Sequence, residues 1–399
     1  MRTNPELERI EDWLIREALG SPDMTAMFSG TCERLVAAGI PIARANLAWS
    51  TLHPLVNAEA VLWVAGEDAL FEQYPHDRED EEDWLQSPIR AMLMSGEDRL
   101  RRQLASGNSD PGFPMLRRLR DEGYTDYIIL RTPFDLPTTS EVGPTGMMVS
   151  WATRAPGGLD TRTIDQIDYL QIRLALAARA TIQTRIAHTI AETYLGRHAG
   201  RRVLSGSIRH GDGERLDAVI FYSDLRGSTA LADSLSEDAY LAHLNAYFDA
   251  AAGAVIAAGG DVLDFIGDAI LAVFPIDEDG LDAASLRALE AAEHALARLE
   301  AARALTPYPL HCGIALTCGE VMFGNIGVAD RLTFSVIGRT VNAAARIEAM
   351  TKHLATPVLV TSEVAAAAPS AFLPKGSYTL AGFGAEVELF APRATSQRP

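Results

Sequence analysis

No apolar run in the 399-residue sequence approaches the roughly 20 residues that span a bilayer. The nearest stretch, from Ala250 to Gly260, follows Asp249 and is interrupted by Gly253. The opening residues, Met1-Arg-Thr-Asn-Pro-Glu-Leu-Glu-Arg9, are mixed in charge and lack the apolar centre of a signal peptide. Positive charge is scarce as well: 35 Lys and Arg stand against 53 Asp and Glu, a formal net charge of -18. Nucleic acid and an anionic membrane would both be repelled at long range, which excludes them as main partners. The three cysteines, Cys32, Cys312 and Cys318, have no metal-like spacing and are expected as free thiols in a reducing compartment. A cytoplasmic protein is expected.

A hydrophobic content of 48% is enough for ordinary cores, and the length suits two or three domains. The first part, residues 1–160, mixes helical and strand patterns. Periodicity predicts helices near 6–19, 23–38, 88–104 and 114–123, and strands at 45–50, 58–64, 127–130 and 146–151. The acidic run His76-Asp-Arg-Glu-Asp-Glu-Glu-Asp83 reads as a solvated loop. This order suggests an α+β sensor module that resembles a GAF-type fold, with a small-molecule or protein input; a dimerisation domain without a ligand is the alternative. Residues 161–204 then form a connecting segment. Its helical pattern, at Ile167, Leu170, Leu174, Ile182, Ile186 and Ile190, suits a paired helix between two domains equally with a helix that covers the first domain's core. The glycine- and arginine-rich link from Gly196 through Gly211-Asp-Gly213 places a domain boundary near residue 205.

The third part, 205–392, precedes a short tail at 393–399 and alternates strand and helix. A strand ending at Ser223 is followed by a helix entered through Ser234-Leu-Ser-Glu237, which matches a capping box, and stopped at Gly259-Gly260. A hairpin around Gly267-Asp268, a helix near 281–304, a strand at 310–317, a helix in the 340s and a strand at 358–360 complete it. The β-α-β-β-α-β order is the ferredoxin-like arrangement, with helices expected on one face of the sheet. The fold class is therefore α+β throughout.

Chemistry gathers on four residues of this part. Asp224 ends an apolar strand that runs into a Gly-containing turn, and Asp268 sits at the tip of the hairpin. Asn342 and Arg346 are four apart at the start of an alanine-rich helix, hence on one face. Paired carboxylates at strand ends suit Mg²⁺ or Mn²⁺, which prefer oxygen ligands and share a substrate's phosphates. The turn Leu225-Arg226-Gly227-Ser228-Thr229 offers backbone NH groups to phosphate oxygens. An arginine facing such a site would offset charge developing on a transferring phosphorus. Either aspartate alone reads as a turn or cap residue. Their combination with Asn342 and Arg346 points to a two-metal nucleotide site.

Three segments together resemble the class III adenylate and guanylate cyclases, over about residues 215–390. Phe221-Tyr-Ser-Asp-Leu-Arg-Gly-Ser-Thr229 looks like the family's first metal-binding motif and Phe265-Ile-Gly-Asp268 like its second. Phe334-Ser-Val-Ile-Gly-Arg-Thr-Val-Asn-Ala-Ala-Ala-Arg346 looks like the segment with the ribose-orienting Asn and the transition-state Arg. The resemblance implies a head-to-tail homodimer in which Asp224 and Asp268 of one subunit bind two ions and Asn342 and Arg346 come from the other. The 3′-hydroxyl of a nucleoside triphosphate would attack the α-phosphorus and expel pyrophosphate.

The pattern departs from the family at two places. Adenylate cyclases carry a Lys at the position of Asp264 and an Asp or Thr at that of Ser335. An ionised carboxylate cannot donate to adenine N1 but can accept from guanine, and a hydroxyl can donate to guanine O6, so GTP is slightly favoured over ATP. Ala381 stands where many relatives have a Lys or Arg for the terminal phosphates, with Arg339, Arg331 and Lys352 as substitutes. The expected function is a nucleotidyl cyclase. A cyclase-fold scaffold that binds nucleotide with little turnover is the alternative. A diguanylate cyclase is a weaker rival, since no Glu-Phe follows Gly259-Gly-Asp261.

Overall fold

The computed structural model describes residues 5–20, 23–76, 81–105, 110–135, 146–207, 209, 213–303, 306, 308, 310–328 and 330–393. Residues 77–80 of the acidic run and 211–212 of the Gly211-Asp-Gly213 link lie outside the described residues. Among the described residues no helix is long and apolar enough to cross a membrane. The chain divides into two compact units, 1–190 and 191–399.

The first unit contains α1 (Pro5–Leu19), α2 (Met24–Ala37), β1 (Arg44–Ser50), β2 (Val56–Val64), β3 (Leu70–Pro75), α3 (Glu82–Leu85), α4 (Pro88–Ser95), β4 (Arg99–Gln103), α5 (Pro114–Asp121), β5 (Asp126–Pro133), β6 (Gly146–Thr153) and most of α6 (Thr161–Leu195). Its six strands form one antiparallel sheet in the order β3-β2-β1-β6-β5-β4. On one face Leu47 and Val149 pack with Leu14 of α1, Phe28 of α2 and Leu174 of α6. On the other, Tyr127 and Ile129 pack with Met92 of α4 and Leu116 of α5.

The helix expected over 88–104 ends early, at Ser95. Gly96 closes it in the left-handed conformation at φ 71°, and the chain re-enters as β4 with Leu100 opposite Ile129. Alternation of Leu100 with three arginines is an edge-strand pattern that the flanking helical periodicity obscured. Strand β3 escaped the sequence reading because, as the opposite edge, it buries no residue fully. The buried face of α6, from Ile164 to Ile186, belongs to the first unit's core, and its opposite side leaves Ile172 and Leu176 about two-thirds exposed (65% and 67%).

The second unit contains α7 (Arg197–Leu204), β7 (Gly213–Leu225), α8 (Ser228–Ser234), α9 (Glu237–Ala257), β8 (Asp261–Ile266), β9 (Ala269–Pro275), α10 (Gly280–Arg303), β10 (Cys312–Val328), β11 (Arg331–Ile337), α11 (Arg339–His353), β12 (Val358–Thr361), α12 (Ser362–Ala365), β13 (Phe372–Thr379) and β14 (Glu386–Pro392). The strands run β13-β14-β12-β10-β7-β9-β8, and β11 folds back on β10 as a long hairpin. The order β10-β7-β9-β8 along one end of it is that of the expected β-α-β-β-α-β core.

Helices cover both faces of this sheet rather than one. Val219, Phe221 and Leu225 of β7 face α9 and α10, while Ala218 and Ile220 face the cluster containing Ala199 of α7 and Ala344 of α11. Period-2 alternation along β7 thus puts Asp224 on the α11 face. The cap of α9 is Ser236, whose side chain accepts from the Ala239 amide at 3.3 Å, rather than Ser234, which ends the short α8. The division between units falls inside α6, not near 205. Helix α7 belongs with the second sheet: Asp261 accepts from the His198 amide at 3.1 Å, and a Cβ on Gly196 (φ 85°) would meet the Val262 carbonyl at 2.7 Å.

Candidate active site

Strand β7 carries Asp224 at its penultimate position, opposite Ala269 of β9 and Gly313 of β10. The neighbouring hairpin closes through the two residues Gly267 and Asp268, with Gly267 at φ 66°, the left-handed conformation such tight turns use. The Leu225 amide donates to the Asp268 carbonyl over 3.3 Å, so the two turns bearing the carboxylates are bonded to each other. Beneath them the buried hydroxyls of Ser223 and Tyr247 lie 2.8 Å apart and hold the strand end to α9.

Burial first, and then the charge of Asp268, push the Asp224 carboxyl above the usual range, while Arg226 opposes the shift. Burial and the negative charges of Asp224, Glu348 and Asp268 also raise the Tyr222 hydroxyl. A half-buried carboxylate held up by burial and by a neighbouring carboxylate fits a divalent cation. Among the described residues no group of three or more His, Cys, Asp and Glu side chains is placed to hold a metal alone. The pair fits Mg²⁺ or Mn²⁺ that completes its shell with water and substrate phosphates.

The turn after Asp224 is partly committed. The amides of Leu225 and Arg226 already donate, to Asp268 O and to His311 O at 2.8 Å, so neither is available to a phosphate as the sequence reading expected. The Gly227 (φ 76°), Ser228 and Thr229 amides open α8 with no intrahelical acceptor ahead of them.

Asn342 and Arg346 are both exposed on α11, whose inward side carries Ala344, Ile347, Glu348 and Thr351. The cation acting on the Asp224 carboxyl is Arg226. Asp264 lies on β8 opposite Leu271, beside a bulge, and Ser335 lies on β11 opposite Gly324. Both are partly buried, on strands that approach one another. Ala381 is exposed in the turn after β13, and the Arg339 guanidinium sits 5.5 Å from the Phe383 ring two residues on. Arg331 starts β11 and Lys352 lies near the end of α11.

The sequence reading missed Glu348, Thr351 and Gly313. Arg226 Nη2 lies 3.0 Å from Glu348 Oε1, an ion pair without hydrogen-bond alignment, and also donates to Thr351 Oγ1. Burial, then Asp224 and Asp268, outweigh Arg226 and the Thr351 hydrogen bond and push the Glu348 carboxyl up to about 7. A glutamate two residues after Arg346, on the inward side of an alanine-rich helix, was the available signal.

Asp224 and Asp268 thus stand on two turns joined by a backbone hydrogen bond, and Asn342 and Arg346 stand exposed on one face of α11. Residues 213–389 match the adenylate and guanylate cyclase catalytic domain family, and the C-terminal half of the chain is accordingly a class III nucleotidyl cyclase domain, a lyase domain. An adenylate cyclase of Anabaena cylindrica is 32% identical over 151 residues, 37% of this chain and 30% of that protein. An uncharacterised protein of Mycobacterium tuberculosis is 33% identical over 213 residues, 51% of this chain and 36% of that one. The chain therefore covers about a third of the length of these relatives. Among solved structures, the adenylyl cyclase CyaB of P. aeruginosa is 24% identical with a TM-score of 0.41, covering 47% of this chain and 98% of that one.

Proposed function

We propose that this protein is a homodimeric nucleotidyl cyclase that converts a purine nucleoside triphosphate, GTP slightly before ATP, into a 3′,5′-cyclic nucleotide and pyrophosphate. The observation that carries the reading is that, in a cyclase domain, the turns bearing Asp224 and Asp268 are joined by a backbone hydrogen bond while Asn342 and Arg346 stand exposed on one face of α11. Exposed on the helix surface, Asn342 and Arg346 are placed where the carboxylates of a second copy could meet them in a composite site.

In that site Asp224 and Asp268 would hold two Mg²⁺ or Mn²⁺ ions, which when bound lower the pKa of the attacking hydroxyl and neutralise the phosphates. Asn342 of the second subunit orients the ribose so that its 3′-oxygen lines up with the α-phosphorus, and Arg346 offsets charge on that phosphorus as pyrophosphate leaves. The Gly227, Ser228 and Thr229 amides face phosphate oxygens. Asp264 accepts from the guanine N1-H and amino group, and Ser335 donates to O6. Arg339, beside the Ala381 turn, supplies the cation that Ala381 lacks.

The first unit acts as a GAF-like input module, supported by its six-stranded antiparallel sheet with helices on both faces and by a 280 Å³ cleft lined in part by Asp23, Arg185 and His188. Its exposed Ile172 and Leu176 stripe on α6 suits pairing with a second copy, through which the helix would transmit input. We assign the protein to the cytoplasm, in keeping with Cys32, Cys312 and Cys318 all being free thiols.

The test is purified full-length protein with Mn²⁺, offered ATP, GTP, CTP and UTP separately and together, with products identified by mass. A cyclic purine nucleotide that disappears in Asp268→Ala supports the reading. Nucleotide binding without product from any of the four would leave the scaffold in its place.

A further inference from the structure

The end of β7 and the helix α11 are joined by a buried polar knot. Arg226 is anchored at its backbone by His311 and sends its guanidinium across the sheet to Glu348 and Thr351. The Glu348 side chain is 6% exposed, and the Thr351 hydroxyl donates to the Glu348 carbonyl at 2.6 Å while accepting from Arg226. All of this passes over Gly313, where a Cβ would overlap Glu348 Oε1, Arg226 Nη2 and Thr351 Oγ1 together. Glycine is what leaves room for the knot, directly opposite Asp224 in the register of β10 on β7.

The knot sits two residues from a catalytic group at each end: Arg226 follows Asp224, and Glu348 follows Arg346. A buried ion pair seldom adds stability over an apolar isostere, so this one is better read as fixing geometry than as holding the fold together. We infer that Arg226 and Glu348 are positioning residues that lock the register of α11 against the metal-bearing end of β7. The inference rests on the composite-site reading above. In such a dimer the two ends of one knot belong to different active sites, since Asp224 serves one and Arg346 the other. Each knot is then a mechanical link between the two sites.

Two full-length chains with different tags, Asp268→Ala in one and Arg346→Ala in the other, are co-expressed and the heterodimer isolated. It retains one intact site, built from the carboxylates of the second chain and the Asn342–Arg346 pair of the first. Recovered activity supports the composite reading. If folded heterodimer recovers none, that reading fails and the inference with it.

Glu348→Gln is then introduced into either chain in turn. The expected result is a loss of about ten- to a hundredfold in kcat from both placements, with KM for the nucleotide changing by less than about threefold. A loss from only one placement, or none, overturns the link between sites while leaving the composite reading intact. The double variant Arg226→Met with Glu348→Leu separates positioning from folding. Recovery of the melting temperature with kcat still low supports positioning, and recovery of both overturns it.

Discussion

The Leu225 amide donates to the Asp268 carbonyl over 3.3 Å, so the hairpin turn carrying one carboxylate is fastened to the strand end carrying the other. This bond uses only backbone atoms, and the Asp268 side chain takes no part in it. Asp268→Ala should therefore fold normally and yet lose the response to metal. Mn²⁺ should raise the melting temperature of the wild type, by about 2–4 °C per kcal/mol of binding free energy for a unit of this size. No such rise is expected in the variant by differential scanning fluorimetry. An equal rise in both would remove Asp268 from the metal site.

Gly313→Ala tests the room above Asp224. The added methyl overlaps three polar atoms of a buried knot, so either the Arg226–Glu348 pair opens or β10 shifts against β7. Overpacking and an opened buried pair together should cost about 3 kcal/mol or more. Urea denaturation of the full chain would measure it, and a change below about 0.5 kcal/mol, ordinary for a surface site, would contradict the packing described.

The Glu348 carboxyl gives the metal-free protein a pH dependence of known sign. Its pKa is raised from 4.5 to about 7 by burial first, and then by Asp224 and Asp268, against the pull of Arg226. The folded chain thus holds this proton more tightly than the unfolded chain. The stabilisation is complete below the unfolded value of 4.5 and is lost as pH rises through the folded value near 7. In EDTA, the denaturation midpoint of the wild type should fall across that window. Glu348→Gln, which cannot ionise, should flatten this part of the curve. An unchanged slope would assign the dependence to other groups.

The base-reading pair is tested by exchange. If Asp264 accepts from guanine and Ser335 donates to it, Asp264→Lys with Ser335→Asp should reverse the acceptor and donor pattern toward adenine. A hydrogen bond to a charged group contributes about 1.5–3 kcal/mol, so the ratio of cyclic GMP to cyclic AMP formed from equal GTP and ATP should fall by about tenfold or more. Mass detection of both products in one reaction reads the ratio directly. No change in it would mean that neither side chain touches the base.

Much of the second unit was legible because its sequence agrees with itself at several levels. The apolar run into Asp224, the Gly267-Asp268 turn and the Gly259-Gly260 stop each correspond to an observed strand end, hairpin and helix terminus. Asn342 and Arg346 fall on one exposed face of α11, as their spacing required. Less was legible where a signal depends on tertiary contact. Leu100 looks helical beside 88–95 and becomes a strand residue only because Ile129 lies across from it. The role of Arg226 was invisible for the same reason: Glu348 is 122 positions away, and nothing local shows that Gly313 clears the space between them. The face of α6 that looked equally suited to pairing or packing is packed as far as Ile186, a choice made by the first unit's sheet.

The terminal phosphates supply the last test. The turn after β13 carries Ala381 in place of a cation, and Arg339, one of the three candidate substitutes, is held beside that turn, 5.5 Å from Phe383. A cation that grips the β- and γ-phosphates equally before and during the transfer contributes uniform binding, which appears in KM and not in kcat. Arg339→Ala should then raise KM for the triphosphate by about tenfold, the loss of one charge-assisted contact, with kcat within about twofold of wild type. Adding Ala381→Lys to that variant should restore KM, because the new ammonium would rise from the same turn. Steady-state kinetics on the three proteins decide the matter. A fall in kcat with KM unchanged would place Arg339 at the transferring phosphorus instead, and no effect on either would leave the terminal phosphates to the amides of Gly227, Ser228 and Thr229.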